Sequence, residues 1–151
     1  MTMALIIVVS VSLGMLVLMI VISITFGTRR KKLLTEVQQR YQGQQVLRQV
    51  FNASFIGQRS KGFWQIRGNG PLVLTQSELY FLRGVPRKEL VIPLHRITYV
   101  SLQSRHLGKI VLNPLLCVEY HSHYDEDSVI LAVNEPHDWK ESIESARGVN
   151  L

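Results

Sequence analysis

One cysteine, Cys117, stands in 151 residues, so no disulfide can form within the chain, which fits a reducing compartment. It lies in "PLLCVEY" among apolar residues, with no Lys, Arg or His beside it. It reads as a buried, unreactive thiol. No H-E-x-x-H and no paired C-x-x-C occur, which removes two strong zinc signatures. No Gly-rich loop leads from a strand into a helix to hold phosphate. Ser101 and Ser104 lie near His106, but no nucleophile elbow surrounds them. Acid is scarce over most of the chain. Between Thr28 and Val118 there are fifteen Lys and Arg against three acids, Glu36, Glu78 and Glu89. From Glu119 onward the balance reverses, with eight acids against Lys140 and Arg147.

Charge is also missing from the first 28 residues. From Ala4 to Phe26 the chain reads "ALIIVVSVSLGMLVLMIVISITF", without a charge or a proline. About 20 such residues cross roughly 30 Å of hydrocarbon as a helix. The hydroxyls of Ser10, Ser12, Ser23 and Thr25 can bond back to the helix's own carbonyls. A cleaved signal peptide would carry a basic start and a small-residue cleavage site; "MTM" is not basic and no A-x-A follows. Residues 1–28 are therefore expected to be a retained transmembrane anchor. "RRKK", Arg29 to Lys32, follows at once, and positive charge stays inside. The N-terminus is expected outside and the rest in the cytoplasm, at an inner membrane or a thylakoid membrane. Ser10 with Gly14, and Ser23 with Gly27, are small residues four apart, a spacing that allows a weak homodimer.

After the anchor about 120 residues remain, enough for one domain. Residues 29–49 place Leu33, Leu34, Val37 and Tyr41 at helical spacing. They are expected to form a basic linker helix, its apolar stripe against the domain or the lipid. At 1.5 Å per residue, such a helix would hold the domain within roughly 25–30 Å of the bilayer. From Val50 the pattern becomes short runs rich in Val, Ile, Leu, Tyr and Phe: "PLVLT", "LYFLR", "LVIPL", "ITYVSLQ", "IVLNPLLCVEY" and "VILAV". Turn signals such as "GNGP" and "GVP" separate them. About seven antiparallel strands are expected. "NEPHDWKESIESARG" then places Pro136 and Asp138 early, Trp139, Ile143 and Ala146 on one face, and Arg147 with Gly148 at the close. That is a terminal helix able to plug a small barrel.

These segments carry a resemblance. A "G-x-L-x-L-T-x-x-x-L-x-F" hairpin is met by Gly70, Leu72, Leu74, Thr75, Leu79 and Phe81. An "I-P-L-x-x-I" strand is met by Ile92, Pro93, Leu94 and Ile97, and the last helix opens near Trp139. From about Val50 to Ala146 the chain resembles the bacterial pleckstrin-homology-like (PH-like) and GRAM-like domains. The resemblance implies a mainly β domain over 50–151, two nearly orthogonal sheets closed by one helix. It also implies a binding module, with phosphates held by basic residues of the first strand–loop–strand. Arg59, Lys61 and Arg67 occupy that region here, with Arg29, Arg30, Lys31 and Lys32 as further headgroup contacts. Phe63 and Trp64 are the aromatics placed to dip into the interface. The acidic stretch Asp125 to Asp127 is expected to turn to the cytosol, away from this loop.

One motif points elsewhere. His121-Ser-His123-Tyr-Asp125 puts two imidazoles on one face of a strand with a carboxylate nearby. It resembles the H-x-H-x-D-H segment of metallo-β-lactamase-fold hydrolases, but Glu126 stands where the last His belongs. That family needs further His and Asp ligands downstream, and only His137 and Asp138 follow. A catalytic metal also needs an open position in a shaped pocket. "HSHYDEDS" reads more simply as a polar hairpin loop. His95 and His106 stand singly as surface or loop residues. The expected function is a membrane-anchored adaptor or accessory subunit of a membrane complex. It is expected to touch anionic headgroups weakly and a protein partner, to need no cofactor, to bind no nucleic acid and to catalyse nothing. A small metal-dependent hydrolase is the alternative.

Overall fold

The computed structural model describes residues 2–62, 65–106, 109–122 and 125–148. Helix α1 (Thr2–Arg40) leads into strands β1 (Val46–Gln58), β2 (Gly68–Thr75), β3 (Glu78–Arg83), β4 (Lys88–Pro93), β5 (Ile97–His106), β6 (Lys109–His121) and β7 (Glu126–Ala132). Helix α2 (Pro136–Gly148) follows, and short 3₁₀ turns occupy Arg59–Lys61 and Leu94–Arg96. The strands form one antiparallel sheet in the order β4-β3-β2-β1-β7-β6-β5. The fold is mainly β, an open seven-stranded sheet with a C-terminal helix.

The expected pair of sheets is thus joined into one hydrogen-bonded sheet, and β1 is the joint. It pairs with β2 from Val46 to Phe55 and with β7 from Ser54 to Gln58. Register shifts fall between Val50 and Ala53 and between Phe55 and Gly57. Extra residues of this kind bend a strand and sharpen its twist, which lets β1 serve both halves. The concave face collects the core: Phe55, Leu72, Leu74, Leu79, Phe81, Ile92, Leu116, Val118, Val129 and Leu131. Helix α2 closes it with Trp139, Ile143 and Ala146, all buried. Cys117 is buried in β6. Burial pushes its thiol pKa up, against a hydrogen bond from Ser101.

Helix α1 spans both the expected anchor and most of the expected linker helix. It runs unbroken to Arg40, because no proline or glycine interrupts Thr28 to Arg40. Residues 41–44 then turn, with Gly43 at φ 83°, a conformation that glycine adopts without steric cost. The chain re-enters as β1 at Val46, ahead of the expected start at residue 50. Ser23 and Thr25 donate to Met19 O (2.8 Å) and Val21 O (3.0 Å), so these hydroxyls are satisfied inside the helix as expected. Among the described residues, no helix is long and apolar enough to cross a membrane. The side chains described without a break run from Ser10 to Thr25 and are exposed all round, a stretch shorter than the about 20 residues of a crossing.

The last turns of α1 do not carry the domain beyond their end. They lie along its outside. Val37 and Tyr41 are buried against Val73, Tyr80 and Leu82, with Leu33 and Val46 packed on the margin. Those three sheet residues point away from the main core, so β2 and β3 are covered on both faces. The approach is close at Gly84. A Cβ there would stand 2.8 Å from Leu33 Cδ1. Polar contacts flank the seam. Arg87 pairs with Glu36, donating through Nη1 at 2.8 Å. Arg40 reaches Glu89 at 3.4 Å and lies 4.5 Å from the centre of the Tyr80 ring. The Tyr41 hydroxyl donates to Glu78 at 2.6 Å. The apolar stripe of α1 thus lies against the domain, one of its two expected places, after the chain turns at Gly43.

Candidate functional site

The loops at one end of the sheet are organised by a buried carboxylate. Asp127 is only 5% exposed on β7. It accepts from Gln58 Nε2 (2.6 Å), Ser60 N (2.9 Å), Ser60 Oγ (2.7 Å), Tyr120 OH (3.1 Å) and Ser128 N (2.8 Å). Burial pushes its pKa up, but the bonds from Gln58, Ser60 and Ser128 outweigh that and hold it below the usual carboxylate value. This corrects the expectation for the acidic stretch. Asp125 is exposed, but Asp127 pegs the start of the β1–β2 loop, so that loop and the β6–β7 hairpin share an end. Ser60 supplies two donors that a carboxylate needs once it leaves water.

Replacing Asp127 with alanine is expected to destabilise the domain by about 1.5–3 kcal/mol, the range for hydrogen bonds to a charged group. The contribution has a pH signature. A carboxylate whose folded pKa is depressed stabilises the fold above about pH 3.9, its unfolded value, and loses that as pH falls through the folded pKa. The stability gap between wild type and D127N should close in that acid window, measured by denaturant titration. A gap unchanged from neutral pH down to pH 2 would show that the charge contributes nothing.

Cations converge beside this peg. Lys88, on β4, donates to Gln58 Oε1 at 3.4 Å. Burial first, then the neighbouring Lys61 ammonium and the charge of Arg83, push its pKa down to about 8 against the pull of Asp127. Arg83 stitches the two loops together, its Nε donating to Pro86 O (2.8 Å) and its Nη1 to Ile66 O (2.5 Å). Gln65 folds the β1–β2 loop closed by accepting from Gln58 N at 2.7 Å. The site is therefore Lys61, Arg83 and Lys88, three positive groups from two loops.

Of the expected headgroup residues, Lys61 joins this cluster and Arg59 is exposed on the same 3₁₀ turn. Arg67 is exposed at the start of β2, on the side facing α1. Lys31 and Lys32 are exposed on α1. The side chains of Arg29 and Arg30, and Phe63 and Trp64, lie outside the described residues. Arg83 and Lys88 were missed by the sequence reading. Nothing local marks them, since they approach Lys61 only through the β3–β4 hairpin.

His121 ends β6 and is exposed, as is Asp125, whose Oδ1 accepts from Glu126 N at 2.8 Å. Ser122 N donates to Asp125 O at 2.8 Å and tightens the hairpin. His123 lies outside the described residues. Among the described residues no three His, Cys, Asp or Glu are grouped to hold a metal.

No family model and no curated protein matches the sequence. Solved structures do match by shape. The C-terminal domain of an unknown protein from Leishmania infantum is 13% identical, with 78% of this chain and 96% of that chain covered and a TM-score of 0.55. A chain of the 8S snRNP assembly intermediate is 9% identical, covering 69% and 83%, with a TM-score of 0.53. The Vps36 N-terminal PH domain is 15% identical, covering 72% and 82%, with a TM-score of 0.51. At such identities the likeness concerns the fold alone, and that fold is PH-like.

Proposed function

We propose that this chain is a membrane-anchored binding module, an adaptor or accessory subunit without catalysis of its own. In this reading the uncharged run from Ala4 to Phe26 crosses the bilayer with its N-terminal end outside, and the PH-like domain works in the cytoplasm. The single observation behind it is the seam between α1 and the sheet. Leu33 immediately follows "RRKK" and packs on Gly84 of the β3–β4 turn. In this reading that contact supports a loop end kept beside the basic residues, which meet the headgroups. Lys61, Arg83 and Lys88 then meet an anionic surface, where each basic residue is worth about 1 kcal/mol. Lys88, its pKa pushed down to about 8 by burial first and then by Lys61 and Arg83, is a cation that gains from a further anion. Contact with lipid phosphate supplies it. A protein partner remains free to use the surfaces away from the bilayer.

The test uses the full chain in nanodiscs of neutral or anionic lipid. Amide exchange across residues 58–62 should slow in anionic discs. That protection should fade as salt rises, since the Debye length shrinks from about 10 Å at 0.1 M to 3 Å at 1 M. Joint replacement K61E and K88E should abolish it. The Lys88 midpoint should rise from about 8 in anionic discs. In neutral discs the burial of this ammonium, and its repulsion by Lys61 and Arg83, weigh on the fold below pH 8 and are relieved as pH climbs to the ordinary lysine value of about 10.4. Equal exchange in both lipids at low salt would sink the headgroup contact and leave a protein partner as the domain's ligand.

A further inference from the structure

A groove of about 610 Å³ runs between α1 and the outer side of β1 and β2. Leu33, Leu34, Phe51, Pro71 and Val85 give it apolar walls. The volume lies within the about 300–1,000 Å³ typical of small-molecule sites. None of Lys61, Arg83 and Lys88 lines it. Among the described residues no acidic side chain lines it, and Arg67 is one of the lining residues. Among the described residues, Arg67 is exposed and makes no hydrogen bond or ion pair. One end of the groove reaches Gly27, where the exposed apolar surface of α1 from Val11 to Ile24 stops.

We propose that this groove holds one anionic glycerophospholipid, its upper acyl chain against Leu34, Phe51 and Val85 and its phosphate on Arg67. The inference rests on the membrane reading above. The order of surfaces argues for lipid over a peptide or a second copy of the chain. Moving from α1 into the groove, a ligand meets apolar side chains continuous with a helix face that matches hydrocarbon, then a single guanidinium. A guanidinium offers phosphate two parallel donors. The walls take the chain without any unpaired acid beside the phosphate.

The experiment places the full chain in nanodiscs of phosphatidylcholine doped with phosphatidylglycerol carrying a photoreactive diazirine on one acyl chain. Adduct sites are mapped by mass spectrometry. Adducts are expected on Phe51, Leu34 and Val85 as well as on Val11 to Ile24. N52W fills the groove from an exposed position on β1 and should lower the groove adducts at least tenfold while leaving those on Val11 to Ile24. R67E should lower them severalfold. Adducts on Val11 to Ile24 alone would overturn the groove proposal and leave the anchor intact. Groove adducts indifferent to both N52W and R67E would overturn it equally. Adducts absent from Val11 to Ile24 would overturn the membrane reading itself, and the lipid with it.

Discussion

Trp139→Ala will cost the domain about 3–5 kcal/mol, the range for emptying a large buried aromatic site. That is a large share of the about 5–15 kcal/mol that holds a domain together. Trp139 is 1% exposed and belongs to the main core cluster with Ile143 and Ala146. It is also held from outside. The Arg48 guanidinium lies 5.5 Å from the ring centre and pairs with Glu135 at 2.6 Å and Asp138 at 3.4 Å. Removing the indole leaves a cavity between Ile143, Ala146 and the sheet residues of the core. Arg48→Ala, which removes two pairs to exposed carboxylates and the guanidinium's contact with the ring, should cost about 1–2 kcal/mol. A denaturant midpoint that hardly moves for the tryptophan variant would show that α2 contributes little to the core.

The strand count, the closing helix and Trp139 were legible because each had a local cause. Alternation and turn residues mark strands, and Pro136, Asp138 and Arg147 mark the two ends of α2. The docking of α1 was only half legible. Leu33, Val37 and Tyr41 advertise an apolar stripe, but a stripe does not say what it covers. The answer lay elsewhere, in "PLVLT" and "LYFLR". These runs are apolar without alternation, as strands buried on both faces are, whereas β7 alternates buried and half-exposed positions. Length alone could not distinguish them from strands of an ordinary barrel. The reversal at Gly43 was also hidden, since a glycine inside a helical pattern reads first as a weak point.

The binding end was less legible than the fold for a physical reason. Lys61 lies in the loop where basic residues were expected, but Arg83 and Lys88 reach it across a hairpin. Long-range convergence leaves no spacing signal. Asp127 misled in the other direction. In "HSHYDED" it sits among residues that are polar throughout, and composition assigns it to solvent. Its position on β7 two residues before Val129, which faces the core, turns it inward instead. No local signal marks this, since its partners Gln58 and Ser60 lie 69 and 67 residues away in sequence.

Val37→Asp will release α1 from the sheet while leaving the main core folded. Val37 is 3% exposed in the outer cluster with Tyr41, Val73, Tyr80 and Leu82. A carboxylate there would enter an apolar cluster whose flanking cation, Arg40, already pairs with Glu78 and Glu89, and burying such a group is costly. Fully burying an apolar side chain is worth about 1.5–3 kcal/mol; losing Val37 and weakening Tyr41 together removes about 3 kcal/mol from the seam. The surface pairs of Arg40 and Arg87 are exposed and cannot replace it. At about 1.4 kcal/mol per tenfold, the undocked population rises roughly a hundredfold. Cleavage of an opened segment tracks that population when closing outpaces the protease. Trypsin should therefore cut after Arg40 about a hundredfold faster in the variant, with the strands β1 to β7 still resistant. The same undocking should free Gly84 from Leu33 and erase the anionic-lipid protection proposed for residues 58–62. A cleavage rate equal to wild type would show that the turn at Gly43, and not the packing of α1 on the sheet, sets the position of the domain.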